Sequence, residues 1–298
     1  MRESEPVIVP RSGAGIGGRQ GKTETVLPFR FAKRSVFNKT VDENGNTVTV
    51  LANVAPLNDD GSMLRFALFL ALALAPAFAQ DRPLNTPPPG FTTLFNGKDL
   101  TGWRGRQGTY SPHAEALLTK EDLAAKQTQR NADRDLHWRV DTAKGEIVSD
   151  GKSVHLATAK SYGDFELYVD WLMVNHNGDS GIYLRSYPQV QIWDVDNPNE
   201  VKNGAPKGSG ALWNNNADNP GKWPLVKADN PVGAWNTFRI KMVGDKVTVW
   251  LNGKLTVDNQ VLDNYYNRTL PLVPRGAIEL QTHGSEIRFR NIYIRELN

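Results

Sequence analysis

From residue 137 onward, apolar side chains recur at every second position in short runs, and turn dipeptides break the runs. Phe165, Leu167, Val169 and Trp171 alternate with Glu166, Tyr168 and Asp170, the period of a strand with one buried face. Residues 137–140, 146–149, 153–158, 235–242, 247–251, 254–258, 277–282 and 287–295 have the same character. Lys144-Gly145, Asp150-Gly151 and Gly244-Asp245 supply turns, and Asn252-Gly253 is the strongest hairpin signal in the chain. Strands so short and so closely spaced predict a sandwich of two antiparallel sheets.

Residues 179–194 read as a hairpin turning at Tyr187-Pro188. Ile182, Leu184, Val190 and Ile192 form its aliphatic side. Tyr183, Arg185, Gln189, Gln191 and Trp193 form the other. Flat rings, amides and a guanidinium suit a sugar: rings for C–H faces, forked donors and amides for hydroxyls. An amphipathic hairpin with surface aromatics explains the same residues about equally well.

The 298 residues leave room for one large domain or two small ones. A formal charge of +3, with the basic residues scattered, leaves no footprint for nucleic acid. The chain has no cysteine, which excludes disulfides, thiol catalysis and Cys–zinc sites.

The first 62 residues are rich in Gly, Arg, Thr and Asn. They are expected to be disordered, or an upstream extension that is not part of the natural product. Residues 47–54 suggest a strand without a neighbouring partner. Residues 63–79 combine Met63-Leu64-Arg65, an apolar run and small residues at Ala77 and Ala79. These are the parts of a secretory signal peptide cleaved before Gln80, so the protein is expected in the periplasm or outside the cell, with Met63 as initiator. The run is too short for a comfortable membrane span. Residues 80–90 are a Pro-rich linker, expected to be extended and flexible, and 91–298 form the folded domain. Residues 119–133 predict one inserted helix, capped by Thr119 with Glu121 and Asp122 at its positive end. Residues 196–232 form a long loop carrying Trp213 and Trp223, and loops of such length are usually functional or disordered.

Glu166, Asp170, Arg185, Gln191, Asp194, Glu279, Gln281 and His283 all stand opposite or beside aliphatic positions. If the aliphatic faces meet in one core, these groups are expected to gather in a groove. No metal motif, no H-E-x-x-H and no G-x-S-x-G is present.

The motifs F-N-G-K-D-L-T-G-W (95–103), G-D-F-E-L-Y-V-D-W (163–171), G-D-S-G-I-Y-L-R (178–185), V-Q-I-W-D (190–194), W-N-T-F-R-I (235–240), V-W-L-N-G-K (249–254), I-E-L-Q-T-H-G (278–284) and F-R-N-I (289–292) occur in this order. In this respect the chain resembles the 3-keto-disaccharide hydrolase domain family, over roughly residues 90–297. The resemblance implies a concanavalin-like or laminin-G-like jelly roll that is exported and cleaves glycosides already oxidised at C3. Where most of the family reads Q-D-H-G, Thr282 stands here on the core side, so Gln281 and His283 still match.

A C3 ketone acidifies the C2 hydrogen. Removal of that proton gives an enolate, the C1 aglycone leaves by elimination, and water adds back, without the oxocarbenium ion of ordinary glycosidases. On this reading His283 or Asp194 is the base, Arg185 stabilises the enolate and Glu166 is the acid. Asp170, Tyr183, Gln191, Trp193, Trp213, Glu279 and Gln281 line the substrate. No cofactor is required, although a divalent cation could serve the same enolate. A separate dehydrogenase must make the ketone, because no dinucleotide fingerprint is present. The alternative is a non-catalytic carbohydrate-binding module on the same fold. A retaining glycosidase needs carboxylates about 5 Å apart, whereas Glu166 and Asp170 lie roughly 13 Å apart along one strand.

Overall fold

The computed structural model describes residues 36–41, 47–52, 82–108 and 110–297. The chain divides into two units, 1–75 and 76–298. In the first, β1 (Val36–Val41) pairs antiparallel with β2 (Thr47–Ala52), Val36 opposite Ala52. The partner that the sequence reading did not find for residues 47–54 is thus β1, an equally short run. The signal-like residues 63–79 lie outside the described residues.

The second unit is an all-β jelly-roll sandwich. Its elements in order are β3 (Thr92–Thr93), β4 (Trp103–Arg106), α1 (Pro112–Glu115), α2 (Lys120–His137), β5 (Trp138–Asp141), β6 (Glu146–Ser149), β7 (His155–Thr158), β8 (Phe165–Met173), β9 (Asp179–Leu184), β10 (Tyr187–Trp193), β11 (Asn236–Val243), β12 (Lys246–Leu251), β13 (Lys254–Val261), β14 (Glu279–Leu280) and β15 (Ile287–Glu296). One sheet has the order β10-β9-β14-β7-β4. The other runs β13-β12-β11-β8-β15-β6-β5, with β3 beside β15. Every pairing is antiparallel. The alternation of β8 sends Phe165, Leu167, Val169 and Trp171 into the core. There they join Phe238, Ile240 and Phe289 of their own sheet and Leu156, Ile182, Leu184, Val190, Ile192 and Leu280 of the other.

Both edges of the five-stranded sheet are covered. At one edge the hydroxyl of Thr119 accepts the amide of Asp122 at 3.1 Å and caps α2. The helix then offers side chains where a sheet would offer another strand. Gln127 Nε2 donates to the Gly105 carbonyl at 2.9 Å, the Gly105 amide donates to Asn131 Oδ1 at 3.0 Å, and Arg134 donates to the Trp103 carbonyl at 2.7 Å. At the other edge the long loop lies along β10. The Gln191 amide donates to the Ala211 carbonyl, the Gly210 amide to the Gln191 carbonyl, and the Trp193 amide to Ser209 Oγ. Unpaired strand edges invite pairing with other chains, and here neither is open.

Three local expectations differ. The hairpin turns at Arg185-Ser186, both at positive φ (53° and 66°), and Tyr187 and Pro188 belong to β10. The helix runs to His137 and leads directly into β5. The Pro-rich segment is anchored: Asn85 and Asn291 exchange amide-to-side-chain hydrogen bonds at 2.9 Å in both directions, and Asn85 Nδ2 donates to the Gly145 carbonyl at 2.9 Å. Among the described residues no helix is long and apolar enough to cross a membrane.

Asn85→Ala removes the two hydrogen bonds made by the side chain and strains a left-handed backbone position (φ 60°). A loss of about 1–3 kcal/mol is expected in denaturant unfolding. An unchanged unfolding midpoint would mean that the segment is not anchored in solution.

Candidate active site

In an antiparallel ladder, residues directly opposite share a face. Opposite Asp179 is Trp193, opposite Gly181 is Gln191, opposite Tyr183 is Glu279, and opposite His155 is Arg106. The side of the five-stranded sheet away from the core is therefore lined with hydrogen-bonding and aromatic groups. Tyr183, Gln191, Trp193, Glu279 and Gln281 all lie there, and all are buried.

The carboxylate of Asp179 stands at one end of this face. Gln191 Nε2 donates to its Oδ1 at 2.6 Å, and His283 Nδ1 lies 3.2 Å from its Oδ2. Gln189 Nε2 in turn donates to Gln191 Oε1. Burial pushes Asp179 up to about 6, against the opposing pull of His283 and the Gln191 hydrogen bond. The His283 side chain is 59% exposed, so the pair is open to solvent on the imidazole side. Beside it, Gln281 Oε1 is a buried acceptor without a partner, a group that a hydroxyl would satisfy.

The middle of the face is a charge network. Glu279 has no exposed surface. Its Oε1 accepts Arg106 Nη1 at 2.8 Å, and its Oε2 lies 3.4 Å from His155 Nδ1. Burial alone would raise Glu279, but Arg106 and His155 outweigh it and hold the carboxyl below the ordinary range. Arg106 also donates to Glu115 Oε2 at 3.2 Å and to the Tyr110 carbonyl at 2.8 Å. The Tyr183 ring lies 4.8 Å from the His155 ring. The backbone at Gly108 lies against the other side of that imidazole: a Cβ there would fall 1.9 Å from His155 Cε1.

The remaining expected residues are held elsewhere. Asp194, just past β10, accepts the Asn177 amide at 2.7 Å, His176 Nδ1 at 3.1 Å and the Asp196 amide at 3.1 Å. Burial would raise it, but these donors hold it below its ordinary value. Trp213 packs perpendicular to Trp193 at 5.8 Å and donates to the Asn203 carbonyl.

Glu166 and Asp170 do not join this face. They lie on the outer side of the other sheet, because β8 belongs to that sheet. Glu166 is paired with Arg239 at 2.6 Å and with Arg295. Asp170 accepts Thr237 Oγ1 at 2.6 Å and Asn291 Nδ2 at 2.7 Å. Nor does Arg185 join it. The turn swings its side chain to the Gly163 carbonyl at 2.9 Å and Asp164 at 2.6 Å. One core has two outer faces, and alternation alone does not say which sheet a strand joins. Asp179, His155 and Arg106 are not singled out by the sequence, and Gln189 is named there only with the polar side of the hairpin. Asp179 and Gln189 stand within the hairpin motif. The other two sit singly in four-residue strands with no local pattern around them.

Among the described residues no three His, Asp or Glu side chains assemble as a metal-binding group.

The geometry defines a polar, aromatic sheet face with an acid–base pair at its open end. Residues 90–295 match the family described as the 3-keto-alpha-glucoside-1,2-lyase-like domain, and the chain belongs to that family. It is 23% identical over 254 residues to the 3-keto-disaccharide hydrolase of Bacteroides thetaiotaomicron, spanning 70% of this chain and 79% of that one. Among solved structures it is similar to a glycosyl hydrolase candidate from Parabacteroides distasonis, at 24% identity and a TM-score of 0.51, covering 72% of this chain and 100% of that one. A second such candidate from the same organism is 23% identical with a TM-score of 0.43, covering 70% and 99%.

Two outcomes are expected. Asp179 is raised above its unfolded value near 3.8, so its contribution to stability is complete below that value and is lost as pH rises through about 6. Asp179→Asn should remove this slope and gain on the order of 2–3 kcal/mol relative to wild type at pH 8. Parallel stability–pH curves for the two proteins would refute the raised value. Arg185→Met leaves the buried Gly163 carbonyl without its donor and Asp164 without its cation, with only the Gly244 amide remaining on that carboxylate, and should cost about 1.5–3 kcal/mol in unfolding. A stable variant with a specific loss of turnover would restore Arg185 to the chemistry.

Proposed function

We propose that the protein cleaves glycosides whose sugar is already a ketone at C3, by elimination and rehydration. The carrying observation is the Asp179–His283 pair, 3.2 Å apart on the polar face with Gln191 behind it and the unpartnered Gln281 acceptor beside it. A carboxylate near 6 is ionised at neutral pH yet more basic than an ordinary Asp, as a general base should be. Asp179 takes the C2 proton. The C2–H electrons form the C2=C3 bond of an enolate with its charge on the C3 oxygen; the enolate then re-forms the C3 carbonyl and makes the C1=C2 bond as the C1–O bond breaks, and His283 as imidazolium protonates the departing oxygen. Its charge also favours the enolate oxygen at C3. Water then adds its hydroxyl to C1, and the proton returns to C2. Gln281 supplies an acceptor for a hydroxyl, Gln189 and Gln191 hold Asp179 in place, and Trp193 supplies a flat surface for the ring.

The ketone must come from a separate sugar dehydrogenase. Export before Gln80 is proposed from residues 63–79 alone.

The test pairs a 3-keto-glucoside with its unoxidised parent in D2O. Wild type should release aglycone from the ketone only, and the product should carry deuterium at C2 beyond the buffer control. Asp179→Asn and His283→Gln should each lower turnover about 100-fold or more, with a double variant less than additive. Retention of more than about a third of turnover in Asp179→Asn would remove it from the base role. Tight binding of the sugar by wild type with no turnover at all would favour a carbohydrate-binding module.

A further inference from the structure

A groove of about 630 Å3 opens at the other end of the polar face, between helices α1 and α2 and the β9–β10 turn. Arg104 and Glu115 stand at its inner side, Lys120 and Gln127 line it from α2, and Ser186 and Arg275 line it from the opposite side. Glu115 connects it to the site, since its partner Arg106 also pairs with Glu279.

The charges around Arg104 do not cancel. Its electrostatic neighbours are Arg106, Arg130, Glu115 and Glu279. Glu279 is satisfied by Arg106 at 2.8 Å, and Glu115 by Arg130 at 2.7 Å and Arg106 at 3.2 Å. Arg104 is left 3.8 Å from Glu115 and hydrogen-bonded to the neutral Gln127 at 2.8 Å. Three guanidiniums face two carboxylates, and the one with the poorest partner is the one that lines the groove. On the rim Arg275 is already matched by Glu296 at 3.0 Å. A partly buried cation without a close counter-charge is costly, and an oxyanion seated against it relieves that cost.

We propose that this groove is a subsite for an anionic sugar, one bearing a carboxylate or a sulfate, with Arg104 as its main partner and Lys120 at its mouth. The proposal rests on the glycoside reading only in taking the anion to be carried by a sugar. It makes the substrate an acidic glycan whose charged residue lies beyond the bond that is cleaved. Arg104 has the planar fork that matches either oxyanion.

Binding without turnover separates this idea from the hydrolase reading. Methyl β-glucuronide, glucose 6-sulfate and methyl β-glucoside are titrated calorimetrically into the full chain at low and at high salt. One or both anionic probes should bind at least about tenfold more tightly than the neutral glucoside, with the gap narrowing as salt rises. The carboxylate and sulfate arms show which anion is favoured. Arg104→Gln should abolish the preference, and Arg104→Lys should retain part of it. Equal affinity for the three probes in wild type overturns the subsite. So does an anion preference that persists in folded Arg104→Gln. The comparison within wild type stands even if that variant does not fold.

Discussion

A carboxylate with no exposed surface has to be paired, and the pairing of Glu279 with Arg106 organises this protein. Glu279 lies in the two-residue central strand of the five-stranded sheet, and Arg106 ends its edge strand. Through Arg106 the pair reaches Glu115, and through Glu115 it reaches Arg130 on the helix. The inserted helices are therefore tied to the centre of the sheet by charge as well as by hydrogen bonds to the edge. Breaking such a buried pair from one side leaves a charge with nothing to meet it, commonly at about 3–5 kcal/mol. The same network fixes His155 under Tyr183 and leaves Arg104 facing the groove.

Around this centre the polar face has graded exposure. The charge network is shut in beside Gly108, Tyr110 and Glu115, whereas Asp179 and His283 stand at an open end. That gradient suits a site whose positions are fixed by buried groups and whose proton transfers occur where substrate can enter. Asp179, Gln189 and Gln191 stand on adjacent strands, which favours precise placement, and His283 follows three residues after β14.

Much of the fold was legible because strand alternation is a local property. The Phe165-to-Trp171 pattern lies in the core as read, and Asn252-Gly253 forms the expected hairpin. What alternation cannot carry is sheet membership. Glu166 and Gln191 look alike in sequence, each polar between aliphatic neighbours, yet they face away from each other across the sandwich. Arg185 was misplaced by a two-residue shift of one turn, enough to carry a guanidinium from a strand face to Asp164. The helix announced itself through Thr119, but nothing local revealed that its polar side chains would substitute for a strand partner.

The last strand is not at an edge. β15 lies between β8 and β6 in the larger sheet, and β14 lies between β9 and β7 in the smaller one. Residues 279–296 therefore supply the interior of both sheets, whose flanking strands come earlier in the chain. Neither sheet is complete until these strands are in place, and their pairings, β15 with β8 and β14 with β9, join segments far apart in sequence. Contacts of that range form slowly, so the centres of both sheets are expected to set the pace of folding.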